Sequence, residues 1–302
     1  MIMTEDQEKA WLQERRTGIG GSDAAAVLGL SRWRSPLDVY HEKCGDALQR
    51  EETPSMRWGK VLEPVVLQAY SDYTGREVLA PSVPLIRHEE RPWMLASLDG
   101  YTRDQRIVEA KTSRAGDGWG EPGTDEIPTE YLLQVQHYMI VTAFSVADVA
   151  VLIGGHDFRV YEVPADPELQ QLMLAHEAEF WLTVQSEVPP PPLVESDLHA
   201  YIKAKPGRIV ATSEVRQAVE NLRIVKQTIK SLEEQEAAER FTILSFMAEH
   251  DTLVDQDGNT LATWKEAKPA TRLDTKRLKE EQPDLYELYA RQGEPSRRFL
   301  LK

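Results

Sequence analysis

Apolar residues recur at two different spacings along this chain, and each change of spacing marks an element. Between Arg57 and Tyr70 the apolar positions 61, 62, 65, 66 and 69 keep a helical period, with Glu63 off the most apolar part of the stripe. The run Ile107-Val108-Glu109-Ala110-Lys111 opens instead with β-branched apolar residues, as a strand buried in a mixed sheet does. It follows Ser97-Leu98-Asp99-Gly100 across a short polar turn, and the two segments together predict a β-hairpin. From Glu130 to Ile140 the helical period returns and puts Gln134 and Tyr138 on one face. Pro167 to Val184 predicts a further helix that closes this part of the chain. Near the N-terminus, Ser22 is suited to cap a helix through Ala24-Ala25-Ala26-Val27-Leu28 that ends at Gly29.

The character changes at Pro189-Pro190-Pro191-Pro192, a semi-rigid spacer. Beyond it, residues 214–249 predict one long helix or a helix pair. Val215, Val219, Leu222, Val225 or Lys226, Ile229 and Leu232 fall there at three- and four-residue intervals. A hairpin over Thr252 to Trp264, a helix over Asp284 to Ala290 and a last strand, Arg298 to Leu301, complete the reading. The expected fold class is α/β, of the α+β kind, with a central mixed sheet flanked by helices in residues 1–188. Residues 189–192 are the spacer, and 193–302 form a helical α+β accessory region.

The hairpin carries the chemistry. Glu109 and Lys111 stand two apart on a strand and so leave the same face, while the hairpin returns Asp99 towards it. Two carboxylates and a lysine at one sheet edge suit metal-dependent phosphodiester hydrolysis, which needs hard oxygen ligands for Mg²⁺ and a cation beside the attacking water. Almost the same spacing recurs as Asp257-Gly258 before Glu266-Ala267-Lys268, with Gln282 and Tyr286 beyond. There Glu266 follows Lys265, Pro269 ends the strand at once, and Asp257-Gly258-Asn259 makes an ordinary hairpin tip. Pro283 begins a helix just after Gln282, so the second copy reads as structural.

Two other segments add candidate contacts. Gly18, Gly20 and Gly21 let backbone approach a ligand closely, and the helix after them offers an anion-favouring N-terminus, with Arg15 and Arg16 just before it. Arg32-Trp33-Arg34, in a turn before Pro36, is a basic and aromatic cluster suited to DNA contact and equally to packing.

A net charge of −15 argues against a broad DNA-coating role but leaves room for a locally basic channel that takes DNA end-on. At 302 residues and 41% hydrophobic content, the chain can build one large core and an appendage. No apolar run approaches the ~20 residues a membrane span needs, and no signal-peptide pattern opens the chain; the expectation is a cytoplasmic protein with no membrane partner. Cys44 is the only cysteine, which excludes a disulfide within the chain and a four-cysteine cluster.

Taken in order, five motifs resemble the YqaJ-type viral recombinases, which belong with phage lambda exonuclease in the PD-(D/E)XK nuclease superfamily. They are Gly18-Ile19-Gly20-Gly21-Ser22-Asp23, Trp58-Gly59-Lys60-x-x-Glu63, Ser97-Leu98-Asp99-Gly100, Glu109-Ala110-Lys111 and Gln134-x-x-x-Tyr138. The resemblance covers residues 11 to 165, and Leu98 stands where the superfamily's nominal proline precedes the aspartate. It implies a PD-(D/E)XK core and a metal-dependent exonuclease working 5′→3′ on double-stranded DNA ends. The product would be a 3′ overhang for a single-strand annealing protein in phage-type recombination.

On that resemblance Asp99 and Glu109 would be metal ligands together with the Ala110 carbonyl, and Lys111 would orient or deprotonate the attacking water. Glu63 would bind or position the second of two Mg²⁺ ions, for which Mn²⁺ could substitute. Gln134 would support the site with Tyr138 beside it, and Arg15 or Arg16, with Ser22, would hold the 5′ phosphate. A homo-oligomer, a ring-shaped trimer, is likewise implied. The alternatives are an endonuclease or structure-specific nuclease on the same core, or a DNA-end-binding protein with a decayed site. The presence of Asp99, Glu109 and Lys111 together argues against decay.

Overall fold

The computed structural model describes residues 5–45, 52–202, 205–267, 273–291 and 297–301. Its first compact unit, Met1–Ile202, begins with α1 (Glu5–Arg15), β1 (Ile19–Gly20), α2 (Gly21–Val27), α3 (Pro36–Cys44) and α4 (Pro54–Thr74). Strands β2 (Val78–Leu79), β3 (Ile86–Arg87), β4 (Met94–Ala96), β5 (Gly100–Thr102) and β6 (Arg106–Ser113) follow. The unit ends with α5 (Thr129–Thr142), β7 (Val146–Ile153), β8 (Asp157–Pro164), α6 (Pro167–Gln185) and α7 (Glu195–Tyr201). The second unit, Lys203–Lys302, holds α8 (Ser213–Met247), β9 (Thr252–Val254), β10 (Thr260–Thr263), α9 (Thr275–Glu281) and α10 (Pro283–Tyr289).

The two longest strands, β6 and β7, pair in parallel from Arg106 opposite Val146 to Ser113 opposite Ile153. Parallel neighbours need a crossover, and α5 supplies it. Antiparallel β5 pairs Gly100 with Val108, so the expected hairpin forms, and the sheet reads β2-β5-β6-β7-β8. A smaller sheet, β1-β4-β3, sets β1 parallel to β4. Alternation along β6 sends Ile107 into one core with Val135, Met139, Val149 and Tyr161, on the α5 side. Val108 goes to the opposite face with Val66 and Tyr70 of α4 and Ala150. Helices thus cover both faces, which is why β7 is almost uniformly apolar. The mixed sheet flanked by helices is the fold class expected from the sequence.

A polar knot fastens α4 to the sheet. Tyr70 donates its hydroxyl to Asp148 Oδ2 at 2.5 Å, and Arg106 donates to both Asp148 oxygens at 2.8 and 2.6 Å.

Several elements depart from the sequence reading. The inward stripe of α4 is Val66 and Tyr70, while Val61 and Val65 are 52% and 55% exposed. Glu63, three residues before Val66, is half-buried at the border of this inward face. Helix α2 is capped at Gly20, not Ser22: Asp23 closes the capping box by accepting from Gly20 N at 3.1 Å. The first unit runs past the tetraproline, which therefore does not divide the units. Ser35 Oγ donates to Asp197 at 2.6 Å and the Tyr201 hydroxyl to Asp38 at 2.8 Å, tying α7 to α3. Residues 297–301 form no strand, and among the described residues no strand pairs with them. In the second unit, 213–247 is one helix rather than a pair, and β9 and β10 form the expected hairpin, with Gly258 at φ +86° in its tip.

Candidate active site

Glu109 is the centre of the site. It leaves β6 on the α5 side and is 2% exposed. Its Oε1 accepts from Lys111 Nζ at 2.6 Å and from Gln134 Nε2 at 2.7 Å. Gln134 also donates to the Tyr138 hydroxyl at 3.1 Å, since positions four apart on α5 share a face. Asp99, just before β5, accepts from the backbone N–H of Ala110 at 2.9 Å, which closes the hairpin beside Glu109. Lys111 Nζ also stands 5.0 Å from the centre of the Tyr131 ring. The structure therefore gathers Asp99, Glu109, Lys111, Gln134 and Tyr138, as the sequence pattern implied. Glu63 faces the same group from α4, near enough for its charge to be felt at Asp99, Glu109 and Lys111.

The electrostatics of the group ask for a cation. Burial, and then the neighbouring Asp99 charge, push the Glu109 carboxyl up to about 8 despite Lys111. Burial raises Asp99 too, and burial followed by the Asp99 charge raises Glu63. For Lys111, burial works against the charged form, but Glu109 and Asp99 outweigh it and hold the ammonium above its ordinary value. Among the described residues no N–H or hydroxyl donates to Glu109 Oε2, which is buried, although the Asp99 and Glu109 carboxyls lie close enough to share a proton. An unmatched buried carboxylate oxygen is costly unless something positive completes it. Among the described residues, no three His, Cys, Asp or Glu side chains close up into a cage that could hold an ion unaided. Two carboxylates with a third at longer range instead suit Mg²⁺, which keeps several of its waters.

The glycine-rich turn meets this centre directly. A Cβ on Gly21 would fall 2.4 Å from Tyr138 Cε1 and 2.9 Å from the Gln134 carbonyl oxygen, so only glycine lets the start of α2 reach α5 here. Arg15, which is 21% exposed, donates to Ser22 Oγ at 2.8 Å and lies 3.5 Å from Asp23 Oδ1. Its guanidinium sits over the Trp11 ring at 5.0 Å. Arg16 is exposed and is directed elsewhere, with Nη1 3.6 Å from where a Cβ on Gly45 would stand. Of the two arginines, Arg15 is the one joined to Ser22.

Sequence reasoning passed over the residue that organises this turn. Asp23 is fully buried and binds Arg34 Nη1 at 2.8 Å and Lys43 Nζ at 2.7 Å in addition to Gly20 and Arg15. Burial opposes its ionisation, but Lys43, Arg15 and Arg34 outweigh it and hold the carboxyl far below the ordinary range. The signal was an aspartate three residues after a glycine, the spacing of a capping box. His137 was also missed. It is buried, within 2.9 Å of both Glu177 oxygens through Nδ1 and 3.0 Å from the Leu95 carbonyl oxygen through Nε2.

Among the described residues, the second copy assembles no such site. Asp255 accepts from the backbone of Asp257 and Asn259 at 2.9 and 2.8 Å, building the hairpin tip. Glu266 is exposed, Gln282 precedes α10, and Lys268 and Pro269 lie outside the described residues.

A profile of the YqaJ-like viral recombinase domain matches residues 10–145. That span includes Arg15, Ser22, Glu63, Asp99, Glu109, Lys111, Gln134 and Tyr138. An uncharacterized protein, YqaJ, of Bacillus subtilis (strain 168) is 32% identical over 292 residues, covering 92% of this chain and 89% of its own. An uncharacterized protein, R354, of Acanthamoeba polyphaga mimivirus is 26% identical over 157 residues, 48% of this chain and 28% of its own. Among solved structures, an alkaline exonuclease (LHK-Exo) from Laribacter hongkongensis superimposes with a TM-score of 0.49 at 21% identity, over 60% of this chain and 94% of that one.

Proposed function

We propose that this chain, which belongs to the YqaJ-like viral recombinase family, is a DNA exonuclease that removes nucleotides from a 5′ end of duplex DNA. The observation that carries the reading is the buried pair of carboxyls, Asp99 and Glu109, with Lys111 alongside and no N–H or hydroxyl donor to Glu109 Oε2 among the described residues. In this reading Asp99, Glu109 and the Ala110 carbonyl would hold Mg²⁺, with Glu63 holding or positioning a second ion and Mn²⁺ able to replace either. The ions would stabilise charge on the attacking and leaving oxygens of the phosphodiester.

The chain's own residues do the rest. Lys111, kept charged by the carboxylates around it, orients the attacking water and stabilises charge on the phosphoryl group. Gln134 fixes the Glu109 rotamer from α5, and Tyr138 braces Gln134. Arg15 and Ser22, at the start of α2, hold the terminal 5′ phosphate. A closed ring of three copies would admit DNA ends and exclude circles, and the 3′ overhang left behind would pass to a single-strand annealing protein in the cytoplasm of a bacterial or phage-infected host cell.

Duplexes labelled at either end of one strand test the polarity. Early release of the 5′ label with Mg²⁺, lost in EDTA and in Lys111→Ala, is expected. Early release of the 3′ label refutes the proposed direction, and undiminished cleavage by Lys111→Ala refutes the site.

A further inference from the structure

Aromatic rings lead outward from Lys111 and are not used by the chemistry above. The Tyr131 ring beside Lys111 lies 5.6 Å from Trp119, which is buried, and 6.2 Å from Trp33, which is 54% exposed. The apolar clusters of the unit close without Trp33. Over its ring stands the Arg32 guanidinium, 4.5 Å from the centroid. Arg32 Nε in turn faces Glu130 Oε1 at 3.2 Å, in the first turn of the helix that carries Gln134 and Tyr138.

We infer that Trp33 is a stacking site for an unpaired nucleobase of the DNA strand whose phosphate lies at Lys111, with Arg32 moving off the ring onto a flanking phosphate. The inference rests on the nuclease reading and adds to it a grip on the substrate strand. The indole is joined to Lys111 through the Tyr131 ring, 6.2 Å from it on one side and 5.0 Å from the ammonium on the other. A base stacked there therefore belongs within a few nucleotides of the scissile phosphate, and stacking accepts any base because every base has a π-face. The base must be unpaired, since a base inside a duplex has both faces covered by its neighbours. Arg32 is a displaceable cover: its side chain is 60% exposed and its one ion pair is of the weak solvent-screened kind. Arg32, once off the ring, and Lys111, beside Tyr131, would each offer a cation to phosphates of the strand that carries the stacked base.

The test is binding without divalent ions, read by anisotropy. The probes are duplexes with a three-nucleotide 5′ tail, intact or with one tail nucleotide made abasic, against the full-length parent, Trp33→Ala and Trp33→Phe. For the parent, one abasic position is expected to weaken binding about tenfold. Trp33→Ala should bind intact and abasic tails alike, at the weakened level, and Trp33→Phe should keep most of the difference. Because Trp33 is more than half exposed, the variants should melt near the parent temperature. If Trp33→Ala still loses about tenfold on the abasic tail, or the parent loses nothing at any tail position, the stacking site is overturned and the nuclease reading stands. If the parent binds no DNA in any form, either without divalent ions or with Ca²⁺ in place of Mg²⁺, the nuclease reading fails and this inference with it.

Discussion

Replacing Asp23 by asparagine should destabilise the first unit by about 3–5 kcal/mol, the range for removing one partner of a buried ion pair. The carboxylate is fully buried and serves Lys43 at 2.7 Å, Arg34 at 2.8 Å, Gly20 N at 3.1 Å and Arg15 at 3.5 Å. Lys43 sets the cost, because its side chain is also fully buried. Without Asp23 it keeps only the Arg15 carbonyl at 3.2 Å and Glu42 at 3.5 Å. Arg34 loses less, since Glu42 still holds it. Urea unfolding at pH 7 reads the change, and for a unit of this size the melting temperature should fall by roughly 10–15 °C. Asp23→Asn/Lys43→Met should be less damaged than the two single changes added together, because the orphaned ammonium is gone. A single Asp23→Asn within about 1 kcal/mol of the parent, or strict additivity, would refute the reasoning.

Three further outcomes follow from the same geometry. Lys111→Ala should abolish cleavage in a gel assay while DNA-end binding by anisotropy stays largely intact; weak binding with normal turnover contradicts the assigned role. If Arg15 holds the terminal phosphate, a 5′-hydroxyl end should slow the parent markedly and Arg15→Ala hardly at all, and an equal slowing of both counts against it. Burial disfavours charge on His137, but Glu177 outweighs it and raises its pKa. Stabilisation by that pair is therefore complete below the unfolded value of about 6.5 and is lost as pH rises through the folded one. The stability gap between the parent and His137→Gln, measured in urea at pH 6 and pH 9, should narrow at the higher pH. Comparing the two proteins at each pH cancels the contribution of Glu109, which titrates in the same direction. A constant gap would mean that His137 is not charged in the fold.

The parts of the site that could be read from the sequence are those fixed by local periodicity. A two-residue spacing on a strand places Glu109 and Lys111 together, a four-residue spacing on a helix places Gln134 with Tyr138, and a hairpin returns Asp99. Residues joined only by the tertiary fold were not legible. Asp23 meets Lys43 and Arg34 through the packing of α2 against α3, and His137 meets Glu177 through α5 against α6, with no sequence period linking either pair. The α4 stripe was misjudged for a related reason. Valines at 61 and 65 fit a helical period, yet the face that meets the sheet is chosen by Tyr70 reaching Asp148. Likewise, four prolines suggest a boundary, but the chain beyond them turns back to bond Ser35 and Asp38.

The central claim is that Asp99, Glu109 and Lys111 hydrolyse DNA from an end. Linear duplex with 5′-phosphate or 5′-hydroxyl ends, beside a covalently closed circle, with Mg²⁺ or with EDTA, tests it most directly. The account predicts Mg²⁺-dependent loss of the 5′-phosphorylated strand of the linear DNA while the circle survives. Cutting of the circle, or degradation of linear DNA unaffected by EDTA, would contradict it.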